Sequence, residues 1–157
     1  MVKRVRLKVP VYVRKFIEGE YGCDDRGVVK VDTKSELGWL IHAISRSIPY
    51  NYTYPEVKKG ENLLTIQYTT YEKVYDVPPD KLDSLARQLD EMFRSALINE
   101  VRGKHELIGG DYGPYVTCFL ERYGIDVDND VNWQSMRKIY RDYLESISKK
   151  RQKILAG

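Results

Sequence analysis

The stretch Arg4-Val5-Arg6-Leu7-Lys8-Val9-Pro10 alternates basic and apolar residues. In a strand, successive side chains point to opposite faces, so Val5, Leu7 and Val9 belong to a core face and Arg4, Arg6 and Lys8 to an outward one. Pro10 has no amide hydrogen to give to a ladder and stops the strand. Proline is favoured in the first turn of a helix, and Tyr12, Val13, Phe16 and Ile17 form one apolar stripe. A helix over residues 10–21 is therefore predicted, with Gly22 as its left-handed stop.

Residues 28–31 read as a short strand. Thr33-Lys34-Ser35-Glu36 has the form of a capping box, and Leu37, Leu40, Ile41, Ile44 and Ile48 continue at helical spacing until Pro49. Leu64, Ile66, Tyr68 and Thr70 alternate with polar positions and, with residues 71–77, predict one long strand or a bent pair. From Pro79 to Arg102 the residues Leu82, Leu85, Leu89, Phe93, Leu97 and Val101 define an amphipathic helix that Gly103 would close. The glycines at 109, 110 and 113 read as a flexible connector into a helix over residues 114–123, which Gly124 stops. Asn132 then caps a last helix over residues 132–150, on which Trp133, Met136, Tyr140, Tyr143, Leu144 and Ile147 form the buried stripe, with a frayed tail at 149–153. The expected fold is α+β, with a small, mostly antiparallel sheet from segments near 3–9, 28–31 and 62–77 covered by the 79–102 helix, and a C-terminal helical pair. The domain line is expected at 108/109, separating an α+β domain from a helical segment that packs with it.

The chain has 157 residues, enough for one domain or two very small ones, and carries 26 bases against 23 acids. The net charge of +3 says little, but its distribution says more. Residues 1–15 hold Lys3, Arg4, Arg6, Lys8, Arg14 and Lys15 and no acid, and residues 137–153 hold seven bases against Asp142 and Glu145. Basic ends of this kind suit a polyanion. No apolar run is long enough to span a membrane or to form a signal-peptide core, which predicts a cytoplasmic protein. Cys23 and Cys118 are too few for a disulfide scaffold and suit a reducing compartment.

The residues that could carry catalysis or metal binding fail one by one. Asp126-Val127-Asp128-Asn129-Asp130 opens like a calcium loop, but Val131 stands where the turn needs glycine and Arg137 where a bidentate glutamate is needed. His42 and His105 have no ligand or nucleophile partner at helical spacing, and His42 reads as a structural residue. Asp24 and Asp25 beside Cys23 disfavour a thiolate. The glycines at 109–113 lack the Lys-Ser/Thr of a phosphate loop. No metal, no cofactor and no enzymatic activity are expected.

A basic strand, a proline, an amphipathic helix, a glycine turn and a capped second helix, together covering residues 4–48, resemble the ribbon-helix-helix DNA-binding family. The resemblance implies a homodimer whose paired strands enter the major groove, with Arg4, Arg6 and Lys8 as outward readers. Arginine or lysine donating to guanine O6 and N7 would supply the specificity. Residues 23–32 stand where that family has a short turn. Helix 114–123, the acidic turn and the basic last helix resemble a helix-turn-helix in outline, which implies that Arg137, Lys138 and Arg141 meet DNA. The chain also resembles small proteins carried by phages and mobile elements of Bacteroidetes, on the ending over residues 119–143. Two functions compete. One is a nucleic-acid-binding protein, with Tyr50, Tyr52 and Tyr54 as stacking groups. The other is a structural or adaptor protein, such as a virion component, acting through protein partners while its bases are solvated.

Overall fold

In the computed structural model, residues 1–48, 62–70 and 75–156 are described. The predicted stacking residues Tyr50, Tyr52 and Tyr54 lie outside them. The chain divides into two compact units, Met1–Asp90 and Glu91–Gly157.

The first unit opens with β1 (Val2–Lys8), α1 (Val11–Tyr21), β2 (Val28–Lys30) and α2 (Glu36–Ile44). It continues with β3 (Arg46–Ser47), β4 (Leu63–Thr69) and β5 (Tyr75–Asp76). A 3-10 turn, Pro79–Lys81, leads into α3 (Leu82–Ile108). The architecture is α+β. Its main sheet has the order β1-β4-β2, and β3 pairs with β5 separately. The sheet is mixed rather than mostly antiparallel: β1 runs antiparallel to β4, while β2 runs parallel to it. The reason is connectivity. The chain returns from β2 to β4 through α2, and a crossover of that kind delivers a parallel neighbour.

The alternation in β1 holds residue by residue: Val5, Leu7 and Val9 are buried, and Arg4, Arg6 and Lys8 are exposed. Leu64, Ile66 and Tyr68 of β4 share the buried face in register, Leu7 opposite Leu64 and Val5 opposite Ile66. Val13, Phe16 and Ile17 of α1 join this core, and the Tyr12 hydroxyl donates to Asp90 Oδ1 at 2.9 Å. The helix predicted to cover the sheet divides between the units, contributing Leu85 and Leu89 to the first core and Phe93, Leu97 and Val101 to the second.

The cap and end of α2 and the end of α3 differ from the sequence reading. The cap of α2 is Ser35 rather than Thr33, since Ser35 Oγ accepts from the Gly38 amide at 3.0 Å. That helix ends at Ile44, short of Ile48, because Ser45 is extended and its hydroxyl donates back to the Ile41 carbonyl at 2.6 Å. Gly103 does not close α3. A stop needs positive φ, which Gly109 and Gly110 supply at +79° each.

The second unit contains the remainder of α3, then α4 (Gly113–Arg122) and α5 (Trp133–Ala156). The Phe93 and Phe119 rings lie 5.8 Å apart in its core. Asn132 Oδ1 accepts from the Ser135 amide at 3.1 Å, as its capping position predicts. The buried residues of α5 are Met136, Ile139 and Tyr140, a narrower stripe than predicted, and the segment expected to fray continues as helix to Ala156.

Candidate nucleic-acid interface

The outward face of the main sheet follows from the register. Arg4 lies opposite Gln67, Arg6 opposite Thr65 and Lys8 opposite Leu63, while β2 sets Lys30 opposite Gln67 from the other side. Arg4, Gln67 and Lys30 thus form a row across three strands, each about 4.8 Å from the next. Arg4, Arg6, Lys8 and Lys30 are all exposed. No outward position of the three strands carries an acid. Arg4 Nε donates to Gln67 Oε1 at 3.1 Å, which orients the guanidinium on the face.

Among the described residues β1 is an edge strand. The Met1 ammonium and the Thr70 amide each donate to the other residue's carbonyl at 2.8 Å, and the Val9 amide donates to the Asn62 carbonyl at 3.1 Å. The pairing phase makes the odd-numbered residues of β1 the ones bonded to β4. The amides and carbonyls of Val2, Arg4, Arg6 and Lys8 consequently point to the open edge, beside which no strand lies among the described residues.

The tight turn entering β2 places one acid next to this face. Asp24 Oδ1 accepts from the Arg26 and Val28 amides, both at 2.9 Å. Its carboxyl is held below the ordinary value by the Val28 amide first, with the Arg26 amide and then the Lys30 and Arg4 charges adding to the effect. The Cys23 thiol next to it is pushed up by desolvation and then by Glu18 and Asp24.

The three bases expected on α5 are not equivalent. Arg137 lies over the rings of Tyr112 and Trp133 at 5.2 and 5.7 Å, and its Nη2 is 3.6 Å from Asp111 Oδ1. Its Nε is buried with no acceptor among the described residues, so much of this side chain belongs to the packing of the second unit. Lys138 and Arg141 are exposed, but Asp142 and Glu145 lie one turn further along their face. His105 is likewise engaged, its Nδ1 lying 2.9 Å from the Tyr140 hydroxyl.

Sequence reasoning missed Lys30, Thr65 and Gln67. The alternation of residues 64–70 already turns Thr65 and Gln67 away from the core, but which strand they lie beside is a matter of register. The carboxylates of the calcium-like loop serve the loop itself: Asp126 Oδ1 accepts from the Asp128 amide at 2.8 Å, and Asp130 Oδ2 from the Asp126 amide at 2.9 Å. Among the described residues no group of three or more His, Cys, Asp or Glu could hold a metal ion, and no helix is long and apolar enough to cross a membrane. Comparison of the chain with family models, curated proteins and solved structures finds no match.

Proposed function

We propose that the protein binds nucleic acid through the outward face of the sheet formed by β1, β4 and β2. The carrying observation is the acid-free face on which Arg4, Arg6, Lys8 and Lys30 are exposed together and Gln67 orients Arg4. Side chains on one face of a strand repeat about every 7 Å. They form a row of cations facing a polyanion whose condensed counterions are released on binding. A two-stranded ribbon fits the major groove, where arginine reads guanine through O6 and N7. Lys138 and Arg141 of α5 are a second, more mixed surface. A regulator of the kind carried by phages and mobile elements is the role proposed for such a face.

The test is fluorescence anisotropy with a labelled random duplex and a labelled single strand at two salt concentrations, for the parent and an Arg4/Arg6/Lys8→Ala variant of unchanged circular dichroism. Salt-sensitive binding that the variant loses supports the face as the contact surface. If neither oligonucleotide binds at low salt, the reading fails and protein partners become the subject of search.

A further inference from the structure

A cavity of about 460 Å³ opens at the carboxyl ends of the parallel strands β2 and β4, against α2. This is within the range of small-molecule sites, and such strand ends are where open parallel sheets take ligands. Val31, Ile41 and Tyr68 give it an apolar floor, and Trp39 forms a wall. Trp39 is 66% exposed, a large apolar surface left in water by folding. Lys34 and His42 stand at the cavity with the hydroxyl-bearing residues Thr33, Ser45 and Thr70, and among the described residues no acid lines it.

The arrangement is built into the backbone. A Cβ on Gly38 would lie 2.1 Å from the Asp32 carbonyl oxygen, so only glycine lets α2 press against the loop that carries Thr33 and Lys34. Trp39 and His42 are three residues apart on that helix and so lie on neighbouring positions of one face. Thr69, among the residues that line the cavity, stands at the end of β4 two residues beyond Gln67.

We infer that this cavity binds one nucleobase with its phosphate, the ring stacked on Trp39 and the phosphate facing Lys34 and His42. The unit can come from a free mononucleotide or from an unpaired nucleotide of a strand lying on the basic face, and the second source rests on the function proposed above. Stacking accepts any base, because every base has a π face.

The experiment is a titration of the full chain followed by 15N–1H NMR, with the Trp39 indole signal assigned by its loss in Trp39→Phe. The probes are adenosine monophosphate, adenosine and a short oligodeoxyadenylate. Saturable shifts at Trp39, Thr33, Lys34 and Thr70 are expected. Trp39→Ala should weaken binding about tenfold, the size of one base–aromatic stack. Lys34→Ala should weaken it several-fold, with Lys34→Arg retaining it, and adenosine should bind more weakly than its monophosphate. Both substituted side chains are on exposed residues, so the variants are expected to fold. Binding of the mononucleotide identifies the free source, and binding of the oligonucleotide alone identifies the strand. The Arg4/Arg6/Lys8→Ala variant should still bind the mononucleotide while losing duplex, which separates this inference from the function of the face. Absence of a Trp39 shift with both phosphate-bearing probes, or shifts that Trp39→Ala and Lys34→Ala leave unchanged, would overturn it.

Discussion

Arg4 and Gln67 face one another across the β1–β4 register, and the Arg4 Nε–H donates to the Gln67 side-chain carbonyl at 3.1 Å. The bond uses the guanidinium nitrogen nearest the strand and not its terminal amino groups. Orientation and charge can therefore be separated by mutation. Gln67→Leu removes the first and keeps the second, so duplex affinity should fall a few-fold with an unchanged dependence on salt. The Arg4/Arg6/Lys8→Ala variant should lower the slope of log K against log salt by about one for each phosphate it no longer neutralises. Equal slopes in all three proteins would sink the assignment of these bases.

Two glycines on helices should respond in opposite directions to alanine. Gly38→Ala forces a methyl against the Asp32 carbonyl and should cost roughly 1–3 kcal/mol. Gly103 lies inside α3 with nothing within 4 Å of a built Cβ, so Gly103→Ala should stabilise by about 0.5–1 kcal/mol. Urea unfolding followed by circular dichroism reads both.

Tyr140 should make the protein sensitive to alkali. Burial raises its hydroxyl above the ordinary tyrosine value of 10.0, and Tyr143 and Glu106 reinforce the effect. The folded chain holds this proton more tightly than the unfolded one. Its contribution to stability is thus complete below pH 10 and is lost as pH rises through the folded value. Tyr21, raised chiefly by burial and then by Glu36, acts in the same sense. Tyr140→Phe should flatten the fall in urea midpoint that sets in above about pH 10. It should also lower the midpoint at neutral pH, since the hydrogen bond to His105 goes with the hydroxyl. A fall as steep as the parent's would remove Tyr140 from the account.

Asp24 acts at the other end of the pH scale. Its carboxyl is lowered by the amides it accepts from, so the stability it gives the turn is present above 3.8 and is lost as pH falls through the folded value. Asp24→Asn should reduce that acid-dependent part of the unfolding curve. Because the same substitution removes a negative charge close to Arg4 and Lys30, it should also tighten duplex binding. An unchanged or weaker affinity would place the bound phosphates away from this end of the face.

Local physics made much of this legible in the sequence. The two-residue period of 4–9, the Gly22 and Gly124 stops and the Asn132 cap all depend on neighbouring residues, and each is present. Pairing was less legible. Lys30 carries no mark that its strand runs parallel to β4, since that direction follows from a crossover rather than from composition. Gly103 misled for a related reason: glycine permits a positive φ without requiring one, and two better-placed glycines follow it. Arg137 looked like its exposed neighbours because the charges are identical along the helix, whereas its surroundings are set by Tyr112 and Asp111 from an earlier segment.

The open side of β1 has a further consequence for the protein in concentrated solution. The residues whose backbone groups point to that side are the ones that carry Arg4, Arg6 and Lys8. A second copy docking there in antiparallel register would bring bases of the outward face opposite one another, Arg4 opposite Arg6 for example, which is destabilising at those pairs. Added salt would therefore work in two opposite senses on one strand: it would loosen the grip on the proposed polyanion while relaxing the repulsion between neighbouring copies. Buffers of high ionic strength are thus the ones under which this edge is least protected against self-association.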